Sequence, residues 1–188
     1  LECACARAGL EFPGRLSSGI AIGWRNGFDS GLSLDYIYKN EPHGRGAFGR
    51  SIDKSYLNSI GWRGIRQRKA NLENVLRDLI QKLHRDNRPV QILDVAAGAG
   101  RYVIKTISAF PEIPIGATLC AYKKENVDAA RALADESNLD GAVITRRGDA
   151  FDRDSLARFQ PRATIGIVSG LYELFPPTVL VLNSLRGL

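Results

Sequence analysis

Two aspartates carry the chemistry that can be read from this sequence. Asp94 closes the run "QILDV" and is followed by "AAGAG", so a carboxylate stands directly before Ala96, Gly98 and Gly100. Asp149 sits in "RRGDAF", with Ala150 and Phe151 behind it. A carboxylate at a strand end beside a glycine turn can hold an ammonium group and favours a cation electrostatically. The glycines allow a ligand to approach the backbone, and a following helix start offers N–H groups. The plain alternatives are a strand-to-helix turn with a capping Asp94, and an Asp149 that caps the next helix.

Two cofactor classes compete for such a turn. A dinucleotide asks for G-x-G-x-x-G/A and for an acid at the end of the second strand. Here the third position is Val103, and the second strand ends "LCAYKKEN" with no acid at its turn. S-adenosylmethionine asks for an acid closing the first strand, then small residues and Gly-x-Gly, which Asp94 and "AAGAG" supply. Asp149 and Ala150 then suit an adenine edge, and Phe151 can cover its ring. The sequence therefore favours S-adenosylmethionine as cofactor.

The elements that must position these residues follow from periodicity. "PVQILDV", "IPIGATLC", "AVITRR" and "ATIGIVSG" read as four strands, separated by helices over Arg101 to Phe110, "KENVDAARALADES" and "SLARF"; "TVLVLNSLRGL" begins another helix. Strand–helix alternation predicts an α/β fold, a doubly wound parallel sheet. Before it, "NLENVLRDLIQKLHRD" is amphipathic, with Leu72, Val75, Leu76, Leu79, Ile80 and Leu83 on one stripe and Asn71 as N-cap. Residues 30–70 read as a helical arm, and 1–29 as a partly irregular lead-in in which "GRLSSGIAIGWRNGFDSG" suggests short strands and turns or a partly ordered segment. Residues 71–188 are the Rossmann-like domain. Four strands leave the last one with an apolar edge, so the sheet is expected to be incomplete at its C-terminal side.

Composition narrows the class. The chain has 188 residues, 44% hydrophobic and 24% charged, and no apolar run long enough to span a membrane. The net charge of +6 gathers locally in "GWRGIRQRK". Only Trp62 is interleaved there, so a nucleic-acid platform is not favoured; an acidic substrate or an intramolecular anchor remain as readings. Cys3, Cys5 and Cys120 make no zinc set, and a reducing, cytoplasmic setting is the simplest reading.

"LNSIGWRGIRQRKANLENVLRDLI", "LDVAAGAGRYV" and "RRGDAFDRDSLARFQPRATIGIVSGLYELFP" together resemble a family of bacterial class I S-adenosylmethionine-dependent methyltransferases, often joined behind an α/β-hydrolase domain. The resemblance covers roughly Gly23 to Leu188. It implies methyl transfer to a small-molecule or lipid-like acceptor. It implies that Asp94, Ala96, Gly98 and Gly100 lie on the methionine side, Asp149 and Ala150 at the adenine, and Ser169, Gly170 and Leu171 beside the methyl group; Tyr122, after the second strand, is a further candidate cofactor contact. Tyr172, Glu173 and His43 are the candidate bases. Two positions depart from the family: Ala121 stands where an acid binds the ribose hydroxyls, and Ala99 where His is common. Losing that acid costs ~1.5–3 kcal/mol of cofactor binding; Glu125 and Asn126, at the next helix start, are candidates to replace it. The competing expectation is a non-catalytic module that keeps the fold and binds a partner.

Overall fold

The computed structural model describes residues 14–175 and 177–188. Cys3 and Cys5 lie outside them. The chain divides after Asn71 into two units.

The first unit is helical. Helices α1 (Ser18–Asn26), α2 (Gly31–Lys39) and α3 (Gly46–Leu57) lead into α4 (Ile60–Arg85), which runs on through the division. The strands expected before residue 30 are absent among the described residues. Ser17 instead accepts a hydrogen bond from Ile20 N–H and starts a helix, and Ser30 caps α2 in the same way through Ser33 N–H. The small residues there serve close packing: a Cβ on Gly19 would meet the Tyr56 ring at 2.6 Å. Tyr36, Ile37 and Leu57 form the core, with Ile22, Leu34, Tyr56, Trp62 and Ile65 against it. The basic segment is partly anchored: Arg66 Nη1 donates to the Leu57 carbonyl at 2.7 Å, and Lys69 lies over the Tyr38 ring. Asn71 is not an N-cap, because helix already precedes it; its side chain accepts from Gln67.

From Leu72 onward α4 buries Glu73, Leu76, Ile80 and Leu83, while Val75 and Leu79 are exposed. The apolar stripe is narrower than periodicity suggested, and it includes a carboxylate. Glu73 is held by Lys105 at 3.2 Å and Arg77 at 3.6 Å.

The second unit is a four-stranded parallel sheet: β1 (Val90–Asp94), β2 (Ile115–Ala121), β3 (Val143–Arg147) and β4 (Ile165–Ile167) in the order β3-β2-β1-β4. Helices α5 (Arg101–Ile107), α6 (Lys124–Glu136), α7 (Arg153–Leu156) and α8 (Thr178–Gly187) complete it. The apolar runs of β1 and β2 are buried along most of their length, as parallel strands covered on both faces require. The fold is α/β and Rossmann-like. After β3 the chain returns to place β4 on the far side of β1, so the connections diverge between β1 and β4. Open α/β sheets bind ligands at such a switch point, outside the carboxyl ends of the strands.

Candidate functional site

Four chain segments leave the sheet at its carboxyl edge, in the same order as the strands. Backbone bonds knit them together. Val95 N–H donates to the Ile167 carbonyl at 3.1 Å, Ala97 N–H to the Cys120 carbonyl at 3.0 Å, and Gly148 N–H to the Ala121 carbonyl at 3.1 Å. The glycine turn, the end of β2, the "GDAF" loop and the Ser169–Gly170 loop therefore form one rim. At ~4.8 Å per strand the rim runs ~14 Å from β3 to β4.

At the switch point the turn after β1 is made of small residues. Gly98 and Gly100 have φ of +57° and +65°, the left-handed region that penalises a Cβ. Gly100 also has no room for one: a Cβ there would lie 2.4 Å from Leu119 Cδ1. Helix α5 begins directly behind, packed by Tyr102, Val103, Ile104 and Ile107. Across the switch, Ser169 is half-buried and Gly170 has φ +78°. Leu171 ties that loop down by packing on Leu93, Val95, Ala150 and Leu156.

Asp94 is completely buried. Its carboxylate turns inward, accepting from Ala96 N–H at 3.2 Å and from the Tyr102 hydroxyl. Burial pushes its pKa up from an ordinary 3.8 to about 7, and the Tyr102 and Ala96 bonds only partly oppose this. The Asp94 carboxylate thus braces the glycine turn from behind, through Ala96 N–H and the Tyr102 hydroxyl. Tyr102 gave no signal in the sequence, because an aromatic inside a helix reads as core.

Asp149 is exposed at the end of β3, and Ala150 is buried beside it. Asp149 Oδ1 accepts from Phe151 N–H at 2.9 Å. The cap of α7 is Asp152, which accepts from Ser155 N–H at 3.1 Å, so helix capping does not explain Asp149. Phe151 meets Phe175 edge to face, centroids 5.3 Å apart. That pairing joins two loops and had no signature in the chain. At the end of β2, Ala121 is buried and Tyr122 is 67% exposed. The Tyr122 carbonyl accepts from Arg147 Nε at 3.0 Å, which bridges β2 and β3. Cys120 is a buried free thiol, raised to about 11 by burial and the nearby Asp94.

Of the three candidate bases, Tyr172 and Glu173 belong to the sheet unit and His43 to the helical unit. The Tyr172 hydroxyl donates to Ser184 Oγ of α8 at 3.0 Å, and Glu173 is exposed on the next position. His43 belongs to the helical unit. Its backbone N–H is held by Asp53 Oδ2 at 3.0 Å, and its ring is exposed, 3.5 Å from Glu41. Among the described residues no group of His, Cys, Asp and Glu is placed to hold a metal ion. No described helix is long and apolar enough to cross a membrane.

The family described as "Putative methyltransferase" matches residues 1–188. The chain belongs to this methyltransferase family. It is 44% identical over 182 residues to "Uncharacterized protein YnbC" of Escherichia coli (strain K12), covering 97% of this chain and 31% of that protein. The chain thus spans about a third of that relative's length. Among solved structures it is similar to TrmN from Thermus thermophilus, 25% identical over 62% of this chain and 32% of that one, TM-score 0.46. It is also similar to the bifunctional kinase-methyltransferase WbdD, 21% identical over 62% and 25%, TM-score 0.45.

Proposed function

We propose that this unit binds S-adenosylmethionine along its carboxyl edge and presents the methyl group at the β1/β4 switch point to a small-molecule or lipid-like acceptor. The observation that carries this reading is the rim itself: a glycine turn, an exposed acid at the end of β3 and a small-residue loop after β4, all on one edge of one sheet. Two features support the cofactor: small side chains at the switch and an exposed carboxylate, Asp149, after β3.

In this reading Ala96, Gly98 and Gly100 flank the amino-acid end, with Asp94 and Tyr102 holding their turn in shape. Tyr122 covers the ribose side. Asp149 and the Ala150 N–H take the adenine edge, and Phe151, braced by Phe175, lies over its ring. Ser169 and Gly170 border the methyl group. S-adenosylmethionine supplies a methyl group on a positively charged sulfur, an electrophile already activated. The protein's part is then alignment, which can lower a barrier by ~7–11 kcal/mol. Tyr172 positions the loop through Ser184 and needs no part in proton transfer. Glu173 and His43 matter only if the acceptor is a hydroxyl that must lose a proton.

Calorimetric titration with S-adenosylmethionine and S-adenosylhomocysteine tests the reading. Saturable binding is expected, weakened about tenfold or more in Asp149→Ala. Folded protein that gives no heat at high micromolar ligand would remove the proposal and leave the partner-binding module.

A further inference from the structure

The positive charge of this protein is unevenly placed. From Leu72 on, Lys and Arg number fifteen against fourteen Asp and Glu; over residues 14–71 they number ten against four. The helical unit therefore carries the surplus. The run "GWRGIRQRK" does not display all of it, since Arg66 is held on the Leu57 carbonyl and Lys69 on the Tyr38 ring. Helix α3 displays its share fully. Its buried positions are Gly49, Asp53 and Leu57, four residues apart, so one stripe faces the core of the unit and the other faces turn outward. Arg45, which precedes the helix, and Phe48, Arg50 and Lys54 within it are all exposed. The only acid of α3 is the buried Asp53, occupied by Ser17, Gly19 and His43. Among the described residues no carboxylate pairs with Arg45, Arg50 or Lys54. The Leu16 carbonyl accepts from Arg45 N–H at 2.8 Å, which brings the exposed Arg15 to the same end of the helix.

Phe48 stands among these cations, 67% exposed. One exposed ring is ordinary by itself. Set between Arg45 and Arg50, on a helix with no outward acid, it completes a pattern with a physical use. Cations on such a helix meet the phosphates of a lipid surface, and an aromatic ring enters the apolar layer beneath them. A nucleic acid would ask for several rings, one for each of successive bases, and α3 offers one. We infer that the outward face of α3 docks the helical unit on an anionic lipid surface. The inference does not depend on the methyl-donor reading.

Co-sedimentation of the whole chain with vesicles tests it. Vesicles of phosphatidylcholine with about a third phosphatidylglycerol should retain the protein, and pure phosphatidylcholine should not. Added salt should release it. The triple variant Arg45→Gln, Arg50→Gln, Lys54→Gln should bind the anionic vesicles about a hundredfold more weakly. Phe48→Ser should bind them about fivefold more weakly, yet bind heparin, which has no apolar layer, as wild type does. A matched loss of charge in the sheet unit, Arg88→Gln, Arg131→Gln, Arg162→Gln, removes three exposed cations and should leave vesicle binding unchanged. Equal retention by neutral and anionic vesicles, or retention by neither, would overturn the inference even if no variant folds. So would a Phe48→Ser that holds anionic vesicles as wild type does, which would mark a general polyanion site, or a sheet-unit variant that loses binding as the α3 variant does.

Discussion

Each unit of this protein buries one aspartate completely, and the two are solvated by the protein very differently. In the helical unit Asp53 accepts from four donors: the Ser17 hydroxyl at 2.5 Å, Gly19 N–H at 2.8 Å, His43 N–H at 3.0 Å and the Tyr36 hydroxyl. These come from α1, α2 and the loop before α3, so one carboxylate joins three parts of the unit. In the sheet unit Asp94 has Ala96 N–H and the Tyr102 hydroxyl, both within the turn and helix that follow it. A buried charge is tolerated in proportion to the hydrogen bonds that replace water. Asp53 therefore reads as a structural hub, and Asp94 as a local brace whose ionisation is poised near neutrality.

The hub should be the costlier to remove. Asp53→Ala takes the acceptor from the Ser17 and Tyr36 hydroxyls and from Gly19 N–H, and leaves His43 N–H only the Tyr36 hydroxyl at 3.1 Å, at a loss on the order of 4 kcal/mol. Both tryptophans, Trp24 and Trp62, lie in the helical unit, so denaturation followed by tryptophan fluorescence reads this directly. A wild-type midpoint in Asp53→Ala would break the comparison.

The brace should appear as a pH effect. The unfolded chain releases the Asp94 proton near 3.8, whereas the folded chain keeps it up to about 7. Between those values the folded state binds more protons, so its stability falls as pH rises and levels off above about 7. The full difference is ~4 kcal/mol. Urea unfolding at pH 5 and pH 8 should show a large part of it in wild type, and Asp94→Asn should lack that component. Equal pH dependence in the two proteins would mean that Asp94 is better compensated than its two donors imply.

A smaller effect sharpens the picture at the rim. Tyr172→Phe removes the bond to Ser184 and should cost about 1 kcal/mol of stability, seen as a lowered thermal midpoint. S-adenosylhomocysteine affinity should stay within about twofold. A large fall in affinity with an unchanged midpoint would show that the hydroxyl serves the ligand instead of the loop.

Much of the sheet unit was legible in the chain because its signals are local. Apolar runs ending in glycine turns announced the strands, and the inward positions Val103, Ile104 and Ile107 followed from a single helical repeat. The helical unit was less legible. Its glycines and serines resemble turn residues until the Tyr56 ring against Gly19 and the Ser17 cap of α1 give them a helical role. The exposed Val75 and Leu79 mislead for a related reason: amphipathic spacing shows which residues can share a face, and not how wide the covering partner is.

At the rim, residue types and spacing alone established the alternation of strands and helices, the turn at Gly98 and Gly100, and the acid at Asp149, since each depends on a few neighbouring residues. The tertiary structure decided the rest. Strand order set the β4 loop beside the β1 turn, burial turned the Asp94 carboxylate inward onto Tyr102, and packing enclosed Asn126 without a partner. These depend on contacts between segments far apart in the chain, and no local pattern encodes which way a side chain will face once they meet.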